Sequence, residues 1–534
     1  MRACLLAAVA AATLCAAQAG RAASPGACEL LARETWPGAE LDQVVSVQAG
    51  TERLFGAGNL PSGPAGENRP GFLPAHCLVR GVIGRRPSTI PGNTLGVGFE
   101  LRMPDDWNGR FFFQGGGGWD GWLRQASGVI VSGTASSESA LARGFAVVST
   151  DSGHESATSS PPTDGRYAVD KQARDDNARD AVPKTTDLAK RIIARYYGRP
   201  IEHSYFVGCS NGGRQGMLAA QTRPDDFDGI VAGDPAFNLT GAVIAWDWNS
   251  RALEAIAPKD TNGQPDLPRA LSDADLDLLS NATLQRCAPG QKVDPGNPGQ
   301  CKFDVATLQC RDDSQTGCLS AAKVHAIQAI QAGPTDSAGH PVYVPWTQGG
   351  EAGPAGWRLW VLGTPQRPAN GQAFAADWLR YVAVLPGQPP IDWRSFDFDH
   401  DPARIAGPDA PWLANGLDYD AFVHRGGRII FYQGTSDPAF SAFDLLNTYQ
   451  ALIARYGADT FSRLFLVPGM AHCSGGAAFD RFDPLTAIVD WVEKSQAPDH
   501  LDATGAAFAG EARPLCPYPS VPGGTGQPTC VSPK

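Results

Sequence analysis

A glycine-flanked serine between a predicted strand and a predicted helix constrains this chain more than any other feature. Residues 205–207 are apolar and predict a short buried strand, and residues 208–212 read Gly-Cys-Ser-Asn-Gly. Residues 213–221 predict a helix, which Pro224 would end. A strand, a tight glycine turn and a helix in this order are the setting of a nucleophile elbow, with the Ser210 hydroxyl exposed at the end of the strand. The alternative is a structural glycine-rich turn.

Short apolar strands alternate with helical patterns on both sides of this turn. Strands are predicted at 95–104, 110–114, 144–151, 205–207, 427–434 and 463–467, a strand with its loop at 227–235, and helices at 175–197, 213–221, 440–456 and 485–494. Such alternation predicts an α/β fold with a mostly parallel sheet that is covered by helices on both faces.

The pattern changes between residues 240 and 415. This stretch has few clean strands, four cysteines, and many Pro, Gly and aromatic residues. A chain of 534 residues is also too long for one compact core. We therefore predict a catalytic domain divided between 20–239 and 416–534, with a lid domain inserted at 240–415 and stapled by disulfides.

The N-terminus predicts export, and the overall charge excludes two classes of partner. Residues 1–19 combine an early arginine, a short apolar stretch and Ala17-Gln18-Ala19, which is the pattern of a cleaved signal peptide. The alternative is a disordered tail. We expect a secreted or periplasmic protein. The net charge of −11 argues against nucleic-acid or anionic-membrane binding, and no other stretch is apolar enough to span a bilayer.

Ser210 is followed along the chain by an acid and a base in the order Ser, Asp, His. Asp437 comes just after the strand 427–434, and His472 comes just after the strand 463–467. Residues that follow parallel strands meet at the carboxyl edge of the sheet, so these three predict a catalytic triad. The alternatives to Asp437 are Asp234 and Asp483, and the alternatives to His472 are His154, His400 and His424.

Four glycines in a row, residues 115–118, follow the strand 110–114. A glycine loop at this place brings bare backbone N–H groups to the site, as an oxyanion hole requires. We expect the donors to be the N–H of Asn211 and that of Gly117 or Gly118. The alternative is a flexible surface loop.

Ten of the 12 cysteines lie outside the predicted signal, and an even number in an exported chain suggests disulfides. The spacing is compatible with local pairs of Cys310 with Cys318, Cys287 with Cys301, and Cys516 with Cys530, and with Cys28–Cys77 closing an N-terminal loop. Cys209 and Cys473 remain, beside the candidate serine and histidine. Bonded, they would clamp base to nucleophile; the alternative is two free buried thiols. The chain has no C-x-x-C pair, so zinc binding is not predicted.

These residues together resemble a known family. Residues 208–213, Asp437 and His472-Cys473 resemble the Cys-Ser, Asp, His-Cys signature of the tannase and feruloyl esterase family, which includes monohydroxyethyl terephthalate hydrolases. Further matches are residues 115–121, 149–154 and 227–236. The resemblance implies a secreted serine esterase with an α/β-hydrolase core and a lid, and it implies that all five cysteine pairs above are disulfides.

The chain departs from this family in the lid. Relatives carry an Asp-rich calcium loop between two cysteines, whereas residues 287–301 contain only one acidic residue, Asp294, and add Lys292. Calcium requires six to eight oxygen ligands, so we expect the family calcium site to be lost and no metal or other cofactor to be required.

The expected substrate is a small aromatic ester. Aromatic residues of the predicted lid suit a planar acid, with Trp360, Phe374 and Trp378 as candidate contacts, although any one of them could instead be structural core. Arg358, Arg367 or Arg380 could bind a substrate carboxylate. The alternatives are an esterase or amidase for an unrelated acyl compound, and a catalytically silent binding protein. The sequence leaves the oligomeric state open.

Overall fold

The fold is described from a computed structural model of the chain. It describes residues 26–54, 71–89, 94–130, 132, 138–156, 163–289, 302–312, 316–458, 460–523 and 529–532. The predicted signal at 1–19 and most of the 287–301 stretch, including Cys301, lie outside these residues.

A nine-stranded mixed sheet forms the centre of the molecule, in the order β1-β2-β3-β5-β4-β6-β7-β8-β9. Its strands are β1 Ala39–Val47, β2 His76–Pro87, β3 Thr94–Pro104, β4 Arg110–Gln114, β5 Ala146–Thr150, β6 His203–Cys209, β7 Gly229–Gly233, β8 Arg428–Gly434 and β9 Ser462–Val467. The pairs among β1, β2, β3 and β5 are antiparallel, and the pairs from β5 through β4 to β9 are parallel.

Two apolar layers bury the two faces of the parallel strands. Phe206 of β6 packs with Ile192 and Met217 on one face, whereas its neighbour Tyr205 packs with Ile488 and Trp491 on the other. Successive side chains of a strand point to opposite faces, so a strand covered on both sides is apolar at every position. Sequence alternation of strands and helices therefore predicted the sheet correctly.

Twelve α-helices accompany the sheet in the described residues. They are α1 Ala27–Leu31, α2 Lys171–Asp175, α3 Ala181–Tyr197, α4 Asn211–Thr222, α5 Leu239–Glu254, α6 Asp273–Cys287, α7 Ala321–Ala332, α8 Asn370–Asp377, α9 Asp401–Asp409, α10 Asp420–His424, α11 Ala442–Tyr456 and α12 Pro484–Lys494. The helix predicted at 175–197 is divided, because a π-helical turn at Asp176–Asp180 separates α2 from α3. No helix of the described part is long and apolar enough to cross a membrane.

The inter-strand segment, which we define as the chain between β7 and β8, carries α5 to α10 although these two strands are hydrogen-bonded neighbours. Its large aromatic side chains form one buried cluster with Tyr167 and Trp119: Trp246, Tyr343, Trp346, Trp357, Trp360, Phe374, Trp378, Trp393, Phe396 and Trp412.

Two short two-stranded sheets follow α12, and disulfides lie both near the chain ends and within the inter-strand segment. After α12, β10 Leu501–Thr504 pairs with β11 Ala512–Leu515, and β12 Val521–Pro522 pairs with β13 Cys530–Val531. Disulfides join Cys28 to Cys77, Cys310 to Cys318, and Cys516 to Cys530. Cys287 is also disulfide-bonded, and its predicted partner Cys301 lies outside the described residues.

Candidate active site

Ser210 stands at the sharp turn between β6 and α4. Its backbone has φ 62° and ψ −125°, a left-handed conformation that costs free energy for any residue except glycine. Its N–H donates to the carbonyl of Gly233 at 2.9 Å, which ties the turn to the end of β7. A Cβ on Gly208 would lie 2.6 Å from the backbone of Gly212, so this turn requires glycine. Ser210 is half-buried, and its strained turn is the geometry of a nucleophile elbow.

Asp437 and His472 are hydrogen-bonded to each other at the same sheet edge. Asp437 follows β8, His472 follows β9, and both side chains are buried. The Nδ1 of His472 donates to the Asp437 Oδ2 at 2.9 Å. The other oxygen, Oδ1, accepts the backbone N–H groups of Ala439 at 2.7 Å and Phe440 at 3.1 Å. Because Nδ1 carries the proton, Nε2 is the basic nitrogen of this imidazole.

A disulfide joins the residues next to the serine and the histidine. Cys209 and Cys473 are 264 positions apart in sequence, and their Cα atoms lie 6.0 Å apart. The bond connects the end of β6 to the loop after β9, where Cys473 has a left-handed φ of 65°. It therefore holds the nucleophile turn and the histidine loop together, independently of the sheet between them.

Asp120 connects the glycine loop to the nucleophile turn. Its Oδ1 accepts the backbone N–H of Gly117 at 3.1 Å and the side-chain amide of Asn211 at 2.5 Å. Its Oδ2 accepts the amide of Gln215 at 2.9 Å and the hydroxyl of Ser152. Loop, elbow and helix α4 are thus fixed to one buried carboxylate.

Sequence reasoning did not single out Asp120, Ser152 or Gln215. Asp120 and Ser152 both have a left-handed φ, of 58° and 62°. An Asp inside a glycine-rich turn is a recognisable signal, because its side chain can accept nearby backbone N–H groups. No local pattern shows that Ser152 and Gln215 converge on it, since Ser152 lies in the turn after β5 and Gln215 lies in α4.

The backbone N–H groups predicted as oxyanion donors lie at this junction. Asn211 is the first residue of α4, where an N–H has no partner within the helix and the helix dipole favours an anion. The N–H of Gly117 already donates to Asp120, which makes Gly118 the better candidate of the two glycines. Gly118 has a left-handed φ of 59°.

The three predicted aromatic contacts lie in different surroundings. The Trp360 ring meets His472 edge to face at 5.1 Å and stacks on Phe374 at 5.7 Å. Phe440 also contacts the imidazole, with ring centroids 5.3 Å apart. Trp378 is fully buried, packs against Trp119 and donates its Nε1–H to Asp409. Trp360 is therefore a neighbour of the histidine, Phe374 packs on the Trp360 ring, and Trp378 is a core residue.

The three predicted arginines also differ. Arg358 pairs with Asp273 at 2.6 Å, and Arg380 lies over the ring of Tyr381 at 5.4 Å. Arg367 donates to Asn370 at 2.9 Å, just before α8, and burial lowers its pKa. Both Arg358 and Arg367 line an open cleft of about 760 Å³ in the inter-strand segment.

The alternative bases lie outside this arrangement. His154 is buried against the ring of Tyr167 at 4.0 Å, and burial lowers its pKa to about 3. His400 is exposed and pairs with Asp397, and His424 is exposed on α10. Among the alternative acids, Asp483 caps α12.

Asp234 is the alternative acid that does lie here, beside Asp437. Asp234, Asp437 and His472 form one of two His, Cys, Asp and Glu groups in the described residues with atoms close enough for a metal ion. The other is Asp234 with Cys209 and Cys473, whose sulfurs are already joined. Neither group has the oxygen-rich set that calcium prefers.

A model of the family described as tannase and feruloyl esterase matches residues 80–532. The chain belongs to the tannase and feruloyl esterase family. The family prediction is confirmed, and the protein is a carboxylic ester hydrolase with an α/β fold.

This esterase is similar to several characterised and inferred relatives. It is 40% identical over 499 residues to the mono(2-hydroxyethyl) terephthalate hydrolase of Piscinibacter sakaiensis, covering 84% of this chain and 82% of the relative. It is 29% identical over 439 residues to a probable feruloyl esterase B-2 of Aspergillus flavus, covering 77% and 78%. Its structure matches the crystal structure of feruloyl esterase B from Aspergillus oryzae with a TM-score of 0.74 and 25% identity, covering 95% and 99% of the two chains.

Proposed function

We propose that this esterase hydrolyses esters of aromatic acids, with Ser210 as nucleophile, His472 as base and Asp437 as the acid that orients it. The observation that carries the triad is the His472–Asp437 hydrogen bond in a loop that a disulfide ties to the strained Ser210 turn. Each role is one that acyl transfer requires.

The reaction proceeds through an acyl-enzyme. His472 Nε2 takes the hydroxyl proton as Ser210 Oγ attacks the ester carbonyl, and Asp437 stabilises the imidazolium that forms. The N–H groups of Asn211 and Gly118 bind the oxyanion. His472 then protonates the leaving alcohol or phenol, and water hydrolyses the acyl-serine by the same steps in reverse order.

Aromatic acids are favoured by the surroundings of the histidine and by the relatives. Trp360 and Phe440 both contact the imidazole, so an acyl group beside Ser210 and His472 would meet aromatic rings. Offset stacking holds planar groups in such places. The relatives are named for terephthalate and feruloyl esters. Arg367, half-buried beside α8, is the candidate for a second carboxylate of a terephthalate-type acid.

Labelling by a fluorophosphonate tests the nucleophile. We expect one label on Ser210 in the folded, oxidised wild-type protein and none in Ser210→Ala. The matched control is Ser337→Ala, which removes an exposed serine and should be labelled like wild type. A protein that is folded and oxidised yet takes no label would instead be a binding protein.

A panel of substrates tests which acyl group the esterase accepts. Methyl gallate, methyl ferulate, a terephthalate monoester and p-nitrophenyl acetate are compared by kcat/KM. Cleavage of p-nitrophenyl acetate alone would contradict the aromatic assignment. A loss confined to the terephthalate monoester in Arg367→Ala, compared with the control Arg380→Ala, would identify the carboxylate contact.

We further propose that the protein is exported and that its activity requires no metal. The disulfides and the signal pattern at residues 1–19 support export to an oxidising compartment. The chemistry above uses side chains and water alone, and residues 287–301 have a single carboxylate for calcium. The expected outcomes are a mature N-terminus near residue 20, and a melting temperature and kcat that neither calcium nor a chelator changes.

A further inference from the structure

Asp234 is a buried carboxyl group at the active site that the acyl-transfer steps do not use. It follows β7 with a left-handed φ of 34° and has no exposed surface. Its Oδ1 accepts the backbone N–H of Gly434 at 2.7 Å and the side-chain amide of Gln433 at 3.1 Å. Its Oδ2 lies 3.7 Å from the Sγ of Cys209, which is bonded in the disulfide and has no proton to donate.

Asp234 lies directly beside the acid of the triad. Carboxylate oxygens of Asp234 and Asp437 and a ring nitrogen of His472 all lie within 4.8 Å of one another. The amide of Gln433 bridges the two carboxyl groups, donating to Asp234 at 3.1 Å and to Asp437 at 3.2 Å, so they are close enough for one to donate to the other. A hydrogen bond between two carboxyl groups requires a proton on one of them. Two adjacent buried carboxylates do not both ionise near neutral pH.

The surroundings place that proton on Asp234. Asp437 accepts N–H groups from Ala439, Phe440, Gln433 and His472, which is the environment of an ionised carboxylate. Burial and the neighbouring Asp437 charge raise the pKa of Asp234 well above its usual range, and they outweigh the backbone N–H groups of Gly434 and Cys473, which lower it. The other titratable groups that face Asp234 in the described residues are His472 and Tyr432 of β8.

We propose that Asp234 is a positioning residue that stays protonated at neutral pH and donates a hydrogen bond to the Asp437 carboxylate. This inference rests on the triad proposed above. A donated hydrogen bond withdraws negative charge from Asp437, so the carboxylate stabilises the His472 imidazolium less. His472 then loses its proton at lower pH, and the esterase keeps a neutral, active base in more acidic conditions.

The pH dependence of kcat/KM in wild type, Asp234→Asn and Asp234→Ala tests this role. An Asn amide also donates to Asp437, so Asp234→Asn should keep the wild-type midpoint of the acidic limb. Asp234→Ala removes the donor and should raise that midpoint by about one pH unit. If Asp234 were ionised, both variants would remove a negative charge and lower the midpoint, which would overturn the proposal. A midpoint that neither variant moves would also overturn it, because Asp234 would then act only in stability.

Two measurements that need no activity separate this proposal from the triad assignment. The infrared carbonyl band of a protonated carboxylic acid should weaken in Asp234→Asn at neutral pH. The free energy of unfolding should also change with pH differently in the two proteins. A raised folded-state pKa gives stability below the unfolded pKa of about 4, which is lost as the pH rises through the folded value. Relative to Asp234→Asn, wild type should therefore lose stability as the pH rises.

An unchanged infrared band, or a stability difference that stays constant from about pH 4 to about pH 9, would show an ordinary ionised aspartate and overturn the proposal. These results hold whether or not Ser210 takes a label. Conversely, if Ser210 took no label while Asp234 was protonated, the proposed triad would be wrong, but the shared proton between Asp234 and Asp437 would still stand.

Discussion

The sheet edge around Ser210 and the aromatic cluster of the inter-strand segment differ in how completely their buried polar groups are hydrogen-bonded. At the edge, Asp120 and Asp437 each accept four hydrogen bonds. In the cluster, the Nε1 of Trp360, the Nε1 of Trp346 and both carboxylate oxygens of Asp247 are buried without a hydrogen-bond partner in the described residues.

This difference indicates that the two regions have different roles. A fully paired network holds its members in one geometry, which suits groups that must meet a reacting carbonyl within a fraction of an ångström. Unpaired donors and acceptors cost free energy, and such costs are tolerated where a ligand or a change of packing can meet them. The sheet edge therefore sets the chemistry, and the aromatic cluster is the place where specificity can vary. Four experiments would break or sharpen this comparison.

Removal of the active-site disulfide should give the largest effect on activity. Cys209→Ala with Cys473→Ala frees the histidine loop from the nucleophile turn, and a displacement of about 1 Å costs about 100-fold in rate. We expect kcat to fall about that much in protein that is folded by circular dichroism. The control is Cys516→Ala with Cys530→Ala, which opens a bond between residues only 14 positions apart. Equal losses in the two double variants would show that the bond contributes only stability.

Asp120→Ala should have the next largest effect. It releases the Gly117 N–H and the Asn211 side chain together, which loosens both sides of the oxyanion hole. We expect kcat to fall about tenfold, less than the ~100- to 1,000-fold cost of deleting an oxyanion donor itself. KM should change little, because the oxyanion forms only in the transition state. Asp225→Ala, at a side chain that is 93% exposed, is the control. A change in KM alone would mean that Asp120 acts in binding.

Trp360→Ala and Trp378→Ala should separate specificity from stability. Loss of the Trp360 ring beside His472 should lower kcat/KM for an aromatic ester about two- to tenfold, and lower it less for p-nitrophenyl acetate. Trp378→Ala should instead lower the free energy of unfolding by about 3–5 kcal/mol, since its ring is fully buried. If the ratio of kcat/KM for the aromatic ester to that for p-nitrophenyl acetate were the same in both variants, Trp360 would also be a core residue.

Asp247→Asn should leave activity almost unchanged and alter only the pH dependence of stability. Burial raises the pKa of Asp247 to about 8 in the folded protein. A raised pKa means that the stability is present below the unfolded pKa of about 4 and is lost as the pH rises through about 8. The melting temperature of wild type should therefore fall relative to that of Asp247→Asn as the pH rises from about 4 to about 8. Parallel curves would show that Asp247 is solvated.

The elements nearest to Ser210 could be predicted because their signals are local in sequence. Strand β6, the glycine turn and α4 occupy consecutive residues, and the strands before Asp437 and His472 are short apolar runs. The α/β fold and the family follow from such patterns and are confirmed. The catalytic roles of Ser210, Asp437 and His472 stay predictions that the geometry supports.

Contacts that depend on sheet order could not be predicted. Ser152 reaches Asp120 because β5 lies next to β4 in the sheet, although 32 residues separate the two side chains. Asp234 meets Asp437 because β7 lies next to β8, across the whole inter-strand segment. That segment buries its aromatic rings without a simple period, so sequence did not distinguish Trp360 beside the histidine from Trp378 in the core. The predicted lid boundaries at 240 and 415 stay predictions.

The bond between Cys209 and Cys473 also orders events during synthesis. A growing chain emerges from its N-terminus, so the thiol next to Ser210 is made 264 residues before its disulfide partner. During that interval Cys287, Cys301, Cys310 and Cys318 emerge as competing thiols. A chain that ends before residue 472 lacks both the base and the native partner of Cys209. Completion of the chain and oxidation of its thiols are therefore joint conditions for a mature enzyme.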